Sequence, residues 1–194
     1  PPLPPPPARD ANQPSQALTV NGGSFNIRTG SGYNDSSFNK NTMSCKGLKA
    51  SCNTDDTTTS EDATNTLTIN GGTFTLNTAD DAIHSDAYVV ITGGEFSIQT
   101  GDDGVHGDTQ ADFGVQGAAD CKIHLTVSTS YEGLEAKDVY IKSGCYSVIA
   151  SDDGINAAGG SSNGTDPGGG GWDPWNPGGG GRGAALTCPR HVIH

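Results

Sequence analysis

The chain has 194 residues and a formal charge of −12; Leu, Ile, Val and Phe together number 32, about 16% of it. That composition leaves too few apolar side chains at helical spacing for a helix bundle, no apolar run of about 20 residues for a membrane span, and no basic footprint for nucleic acid. Taken alone it is the signature of disorder, unless an internal repeat allows a thin core to suffice.

In chain order, residues 1–16 begin Pro-Pro-Leu-Pro-Pro-Pro-Pro, which holds only an extended polyproline II arm because proline fixes φ and donates no backbone hydrogen bond. A strand-like phrase then enters a glycine corner at Leu18-Thr19-Val20-Asn21-Gly22-Gly23-Ser24-Phe25. It returns at Leu67-Thr68-Ile69-Asn70-Gly71-Gly72-Thr73-Phe74 and Val89-Val90-Ile91-Thr92-Gly93-Gly94-Glu95-Phe96, with a worn copy at Val139 to Tyr146. Alternating with it is an acidic phrase: Asp80-Asp81-Ala82-Ile83-His84-Ser85, Asp102-Asp103-Gly104-Val105-His106-Gly107 and Asp152-Asp153-Gly154-Ile155-Asn156-Ala157. Degenerate copies stand at Cys45 to Ala50 and Tyr131 to Ala136.

Aligned on their small residue, the acidic phrases fall at Gly47, Ala82, Gly104, Gly133 and Gly154. The short steps define a unit of about 22 residues, with inserts read at 53–65 and 109–119. Each unit alternates apolar and polar residues with the period of a strand. Stacking the units places Phe25, Phe74, Phe96 and Tyr146 in one inward column and Leu48, Ile83, Val105, Leu134 and Ile155 in another. The prediction is an all-β fold, a parallel β-solenoid of about five coils over residues 17–160. A β-sandwich is the rival, but it gives no reason for one six-residue phrase to recur. Residues 161–194 are predicted as a Gly-rich tail carrying Trp172 and Trp175.

Coils repeat about every 4.8 Å, so an outward column Lys46, Asp81, Asp103, Glu132, Asp153 becomes a row of near neighbours. Like charges at that spacing either stand in solvent or are neutralised by a cation, and oxygen-only ligands suit calcium. The competing reading is turn chemistry, since Asp and Gly dominate turns. A second column reads Lys49, His84, His106, Glu135, Asn156. With Asp86 and Asp108 its histidines could hold a transition metal or simply hydrogen-bond at the surface. As a ladder, this column with Lys137 suits a polysaccharide. Among the five cysteines, Cys45 is paired here with Cys52 and Cys121 with Cys145, leaving Cys188 over. Asn34 and Asn163 open glycosylation sequons, and these features together point to an extracellular or cell-surface protein.

The four phrases at 80–85, 102–107, 131–138 and 151–160 resemble the extracellular carbohydrate-binding-domain proteins, which form right-handed parallel β-helices related to polysaccharide lyases. The resemblance implies a right-handed helix, calcium at Asp80, Asp81, Asp102, Asp103, Asp152 and Asp153, and polysaccharide binding without catalytic residues. Two alternatives stand beside it. One is a head-to-tail extracellular filament or coat built through the open solenoid ends. The other is a lyase with Lys49 or Lys137 as base.

Overall fold

The computed structural model describes residues 17–51, 65–118 and 121–157, and among these every regular element is a strand. The strands are β1 (Ala17–Val20), β2 (Ser24–Arg28), β3 (Leu48–Ala50), β4 (Thr66–Ile69), β5 (Thr73–Thr78), β6 (Ile83–Ser85), β7 (Tyr88–Ile91), β8 (Gly94–Thr100), β9 (Val105–Phe113), β10 (Ile123–Thr129), β11 (Leu134–Ile141), β12 (Cys145–Val148) and β13 (Ile155–Asn156). They form two sheets with parallel pairing throughout. One runs β1-β4-β7-β9-β11-β13, with β3 and β6 joining it at β9; the other runs β2-β5-β8-β10-β12.

The register is the one that the repeat predicts. Leu48, Ile83, Val105, Leu134 and Ile155 are successive partners, and so are Phe25, Phe74 and Phe96. The strand spacing brings the three phenyl rings into a parallel stack, with centroids 4.9 and 4.8 Å apart and planes within 8° and 3°, inside the centroid range that stacked aromatic pairs favour. Leu67, Ile69, Phe74, Ile83, Val89, Ile91 and Val105 are fully buried, so a thin single core is sufficient.

Both glycine positions of the repeat have a steric cause. The second glycine of each corner lies at positive φ: Gly23 at 112°, Gly72 at 125°, Gly94 at 130° and Gly144 at 128°, where side chains are strained. The small residue of the acidic phrase faces the backbone of the next unit. A Cβ on Gly104 would stand 2.5 Å from the Gly133 carbonyl oxygen, and one on Gly133 2.2 Å from that of Gly154.

Two expectations are corrected. The insert read at 109–119 begins later: β9 runs to Phe113, Gln110 to Phe113 pair with Tyr88 to Ile91, and the extra residues fall between Phe113 and Ile123, partners of Ile91 and Gly94. The signal of this strand is faint because the inward positions hold Ala111 and Phe113 between polar residues. The aromatic column also contains Leu125 of β10 between Phe96 and Tyr146, a rung without the Gly-Gly corner that marks the others. Cys121 and Cys145 form a disulfide, as expected. The partner assigned to Cys45, Cys52, lies outside the described residues, as do the arm 1–16, most of the first insert, Asn163, the two tryptophans and Cys188. Asn34 is exposed in the segment between β2 and β3.

Candidate functional site

The acidic phrases serve the stack before they serve any ligand. Oδ1 of Asp81 accepts the backbone N–H of Asp103 at 3.2 Å, and Oδ1 of Asp103 accepts that of Glu132 at 3.1 Å. Each second acid of a corner thus fastens its unit to the next. Asp80 accepts the N–H of Asp81 at 3.0 Å and that of Cys45 at 3.1 Å. Hydrogen bonds between units therefore account for Oδ1 of each of Asp81 and Asp103, while Oδ2 of Asp81 lies against Lys46 and His84 and Oδ2 of Asp103 against His106.

The acidic row is not a solvated face. Asp80, Asp81, Asp103 and Glu132 are buried. Lys40 and Lys46, from the segment linking β2 to β3, bring ammonium groups to the row. Asp35 anchors this segment by accepting the N–H groups of Ser31 and Ser37, and Asn77 accepts the N–H of Tyr33 at 2.8 Å. Lys46 Nζ lies 2.6 Å from Asp81 Oδ2 and 2.9 Å from Asp80 Oδ1, while the exposed Lys40 reaches Asp102 at 3.4 Å. Burial works against the Lys46 charge, but Asp81 and Asp80 outweigh it and hold the ammonium above its ordinary range. Burial, with Asp103 and Asp81 close by, pushes the Asp102 carboxyl up to about 6.

The second column is in the predicted register: Lys49 opposite His84, His84 opposite His106, His106 opposite Glu135, and Glu135 opposite Asn156. Each histidine sits between an acid three residues before it and another two residues after it. His84 Nδ1 is 2.9 Å from Asp81 Oδ2 and its Nε2 is 3.0 Å from Asp86. His106 Nδ1 is 3.3 Å from Asp103 and its Nε2 is 3.4 Å from Asp108. Burial opposes the charge on His106, yet Asp103, Asp81 and Glu135 raise it to about 9. Burial lifts Glu135 to about 8, against the pull of His106. Burial opposes the Asp81 charge as well, but His84 and Lys46 hold that carboxyl well below the usual range.

These groups line a cleft of about 560 Å³ in which eight carboxylates face three ammonium groups and two imidazoles, with Asn41, Met43, Ser44 and Tyr131 completing the wall. Of the predicted metal residues, Asp80, Asp81 and Asp102 come together, their ligand oxygens within 4.8 Å of one another. Their oxygen-only chemistry fits calcium, with Lys46 already supplying positive charge there. Asp103 groups instead with His106 and Glu135. Asp152 and Asp153, on the last unit, join neither group among the described residues and do not line the cleft. Of the predicted glycan ladder, Lys49, His84, His106 and Glu135 line the cleft; Lys137 is exposed and does not. The covering segment 29–44, with Lys40 in it, carries no repeat, whereas Lys46 belongs to the degenerate phrase at Cys45 to Ala50 and stands in the predicted column beside Asp81. Asp86 and Asp108 bracket the rings at the far nitrogen, opposite the Asp81 side.

A family model described as "Carbohydrate-binding domain-containing protein" matches residues 7–104, 98 of the 194 residues. No curated protein and no solved structure matches the chain.

Proposed function

The chain belongs to the carbohydrate-binding domain-containing family, and from that membership we propose a calcium-dependent, extracellular, non-catalytic polysaccharide-binding protein. The reading takes the two parallel sheets as faces of a right-handed β-helix of about five coils. The observation that carries it is the cleft ladder Lys49, His84, His106, Glu135, held at strand spacing by three parallel pairings. Such a ladder offers hydroxyl-binding donors and acceptors at a regular interval, as an extended sugar chain requires. Calcium would be held by Asp80, Asp81 and Asp102, where it would supplement or replace the Lys46 ammonium and bridge to an acidic glycan. Without such a cation the acidic cleft repels a polyuronate.

Of the two lysines that a lyase would use as base, Lys137 is exposed outside the cleft and Lys49 lines it. Affinity electrophoresis in gels containing pectate or a neutral β-glucan, with calcium or with chelator, tests the proposal. Retardation by pectate in calcium that vanishes in chelator is expected. Equal mobility in every gel would refute glycan binding, and retardation unaffected by chelator would refute the calcium dependence. Formation of unsaturated product on pectate, read in the ultraviolet, would overturn the non-catalytic reading.

A further inference from the structure

We propose that the two imidazoles of the cleft form a transition-metal site, adjoining the oxygen-only calcium group through the shared Asp81, in which Asp81 Oδ2, His84 Nδ1 and His106 Nδ1 hold a zinc-class divalent ion with a fourth position toward Glu135. The starting point is an unsatisfied buried nitrogen. His84 is 8% exposed, and its Nδ1 has no hydrogen-bond partner although it lies 2.9 Å from Asp81 Oδ2. Its Nε2 is engaged by Asp86 at 3.0 Å. With the Nε2 proton donated to Asp86, Nδ1 points a lone pair at a carboxylate oxygen. Two acceptors cannot face each other in a buried place at that distance unless a proton or a cation lies between them.

His106 stands one unit along with its Nδ1 3.7 Å from the same Asp81 Oδ2 and 3.3 Å from Asp103 Oδ2; here it is the buried Nε2, 3.4 Å from Asp108, that makes no hydrogen bond. The rings, 5.0 Å apart, converge on one oxygen because β6 and β9 pair in parallel with His84 opposite His106. The three ligand atoms lie within 4.8 Å of one another. Separations of 2.9 and 3.7 Å from the shared oxygen bracket the edge of about 3.3 Å that a tetrahedron requires at zinc-ligand distances of about 2.0 Å. Calcium selects oxygens, whereas imidazole suits zinc and its neighbours. Asp86, bonded to His84 Nε2, supplies the carboxylate that commonly orients a metal-bound histidine from behind, and Asp108 lies 3.4 Å from His106 Nε2.

The assignment does not rest on glycan binding. Its test is zinc titration calorimetry on the full chain, stripped with chelator, thiol-alkylated and kept in millimolar calcium. Tight uptake of zinc is expected. His84→Gln and His106→Gln should each lose it, and Asp86→Asn should weaken it by about 10–100-fold. His124→Gln, an exposed histidine on β10, should leave it unchanged. Cobalt loaded into the alkylated wild type should give the visible absorption of a four-coordinate nitrogen and oxygen site, a readout that needs no variant to fold. Absence of zinc uptake, undiminished uptake in folded His84→Gln and His106→Gln, or displacement of zinc by equimolar calcium would each overturn the proposal.

Discussion

Lys46 stands where the charge of the cleft is most concentrated, with its side chain 16% exposed and two buried carboxylates as partners. Removing one partner of such a group leaves uncompensated charge and costs about 3–5 kcal/mol. Lys46→Met should lose that much stability in chelator, measured by urea unfolding, and calcium should recover the greater part. A variant as stable as the parent in chelator would show that Asp80 and Asp81 do not depend on this ammonium. Gly133 makes a steric prediction at the same scale. Its added Cβ would meet the Gly154 carbonyl at 2.2 Å and Val148 at 2.3 Å, so Gly133→Ala should destabilise by about 1–3 kcal/mol. Ala82 occupies the equivalent place two steps earlier, so tolerance at Gly133 would mean that the unit spacing there can relax.

The strands are short, two to nine residues, and none is stable without its neighbours in the stack. Phe74 lies between Phe25 and Phe96 and is 1% exposed, so Phe74→Ala should cost about 3–5 kcal/mol and disturb the rungs on both sides. The expected readout is loss of hydrogen-exchange protection in β2, β5 and β8 together; protection lost in β5 alone would contradict a shared column. The Cys121–Cys145 disulfide ties the start of β10 to the start of β12. Its reduction should cost about 2–4 kcal/mol, detected as a lower denaturation midpoint in reductant for a Cys45→Ser variant, in which the effect of that thiol is removed.

At the scale of the whole molecule, the cleft binds protons more tightly folded than unfolded. His106 rises from 6.5 to about 9, so its stabilising contribution is fully present below pH 6.5 and is lost as pH rises through about 9. Glu135 rises from 4.5 to about 8, and its charged form is disfavoured by folding, so stability again falls as pH rises across that window. The melting temperature of cation-free protein should therefore fall from about pH 5 to about pH 9, and a bound divalent ion should flatten the decline. A melting temperature that climbs over this range would show that neither group controls stability. Asp81 acts in the opposite direction: its lowered carboxyl withdraws stability as pH drops below the ordinary range near 3.8.

The repeat was legible because its causes are local. Glycine at positive φ, a small residue against the next backbone and alternation along short strands all leave a mark at fixed spacing, and strand pairing carries that spacing into register. For this reason the columns from Leu48 to Ile155 and from Lys49 to Asn156 could be read before any coordinates. The rung at Leu125 and the strand at Gln110 to Phe113 escaped because they keep the register without the marker residues.

What only the tertiary structure decided is the surroundings of those columns. The sequence by itself determined which acids and histidines stand opposite one another. It did not determine that 29–44 brings Lys40 to Asp102, that Asp80, Asp81, Asp103 and Glu132 are buried, or that two imidazole nitrogens converge on one Asp81 oxygen. Register follows from spacing along the chain, whereas charge compensation and burial depend on where a segment without a repeat comes to lie in space.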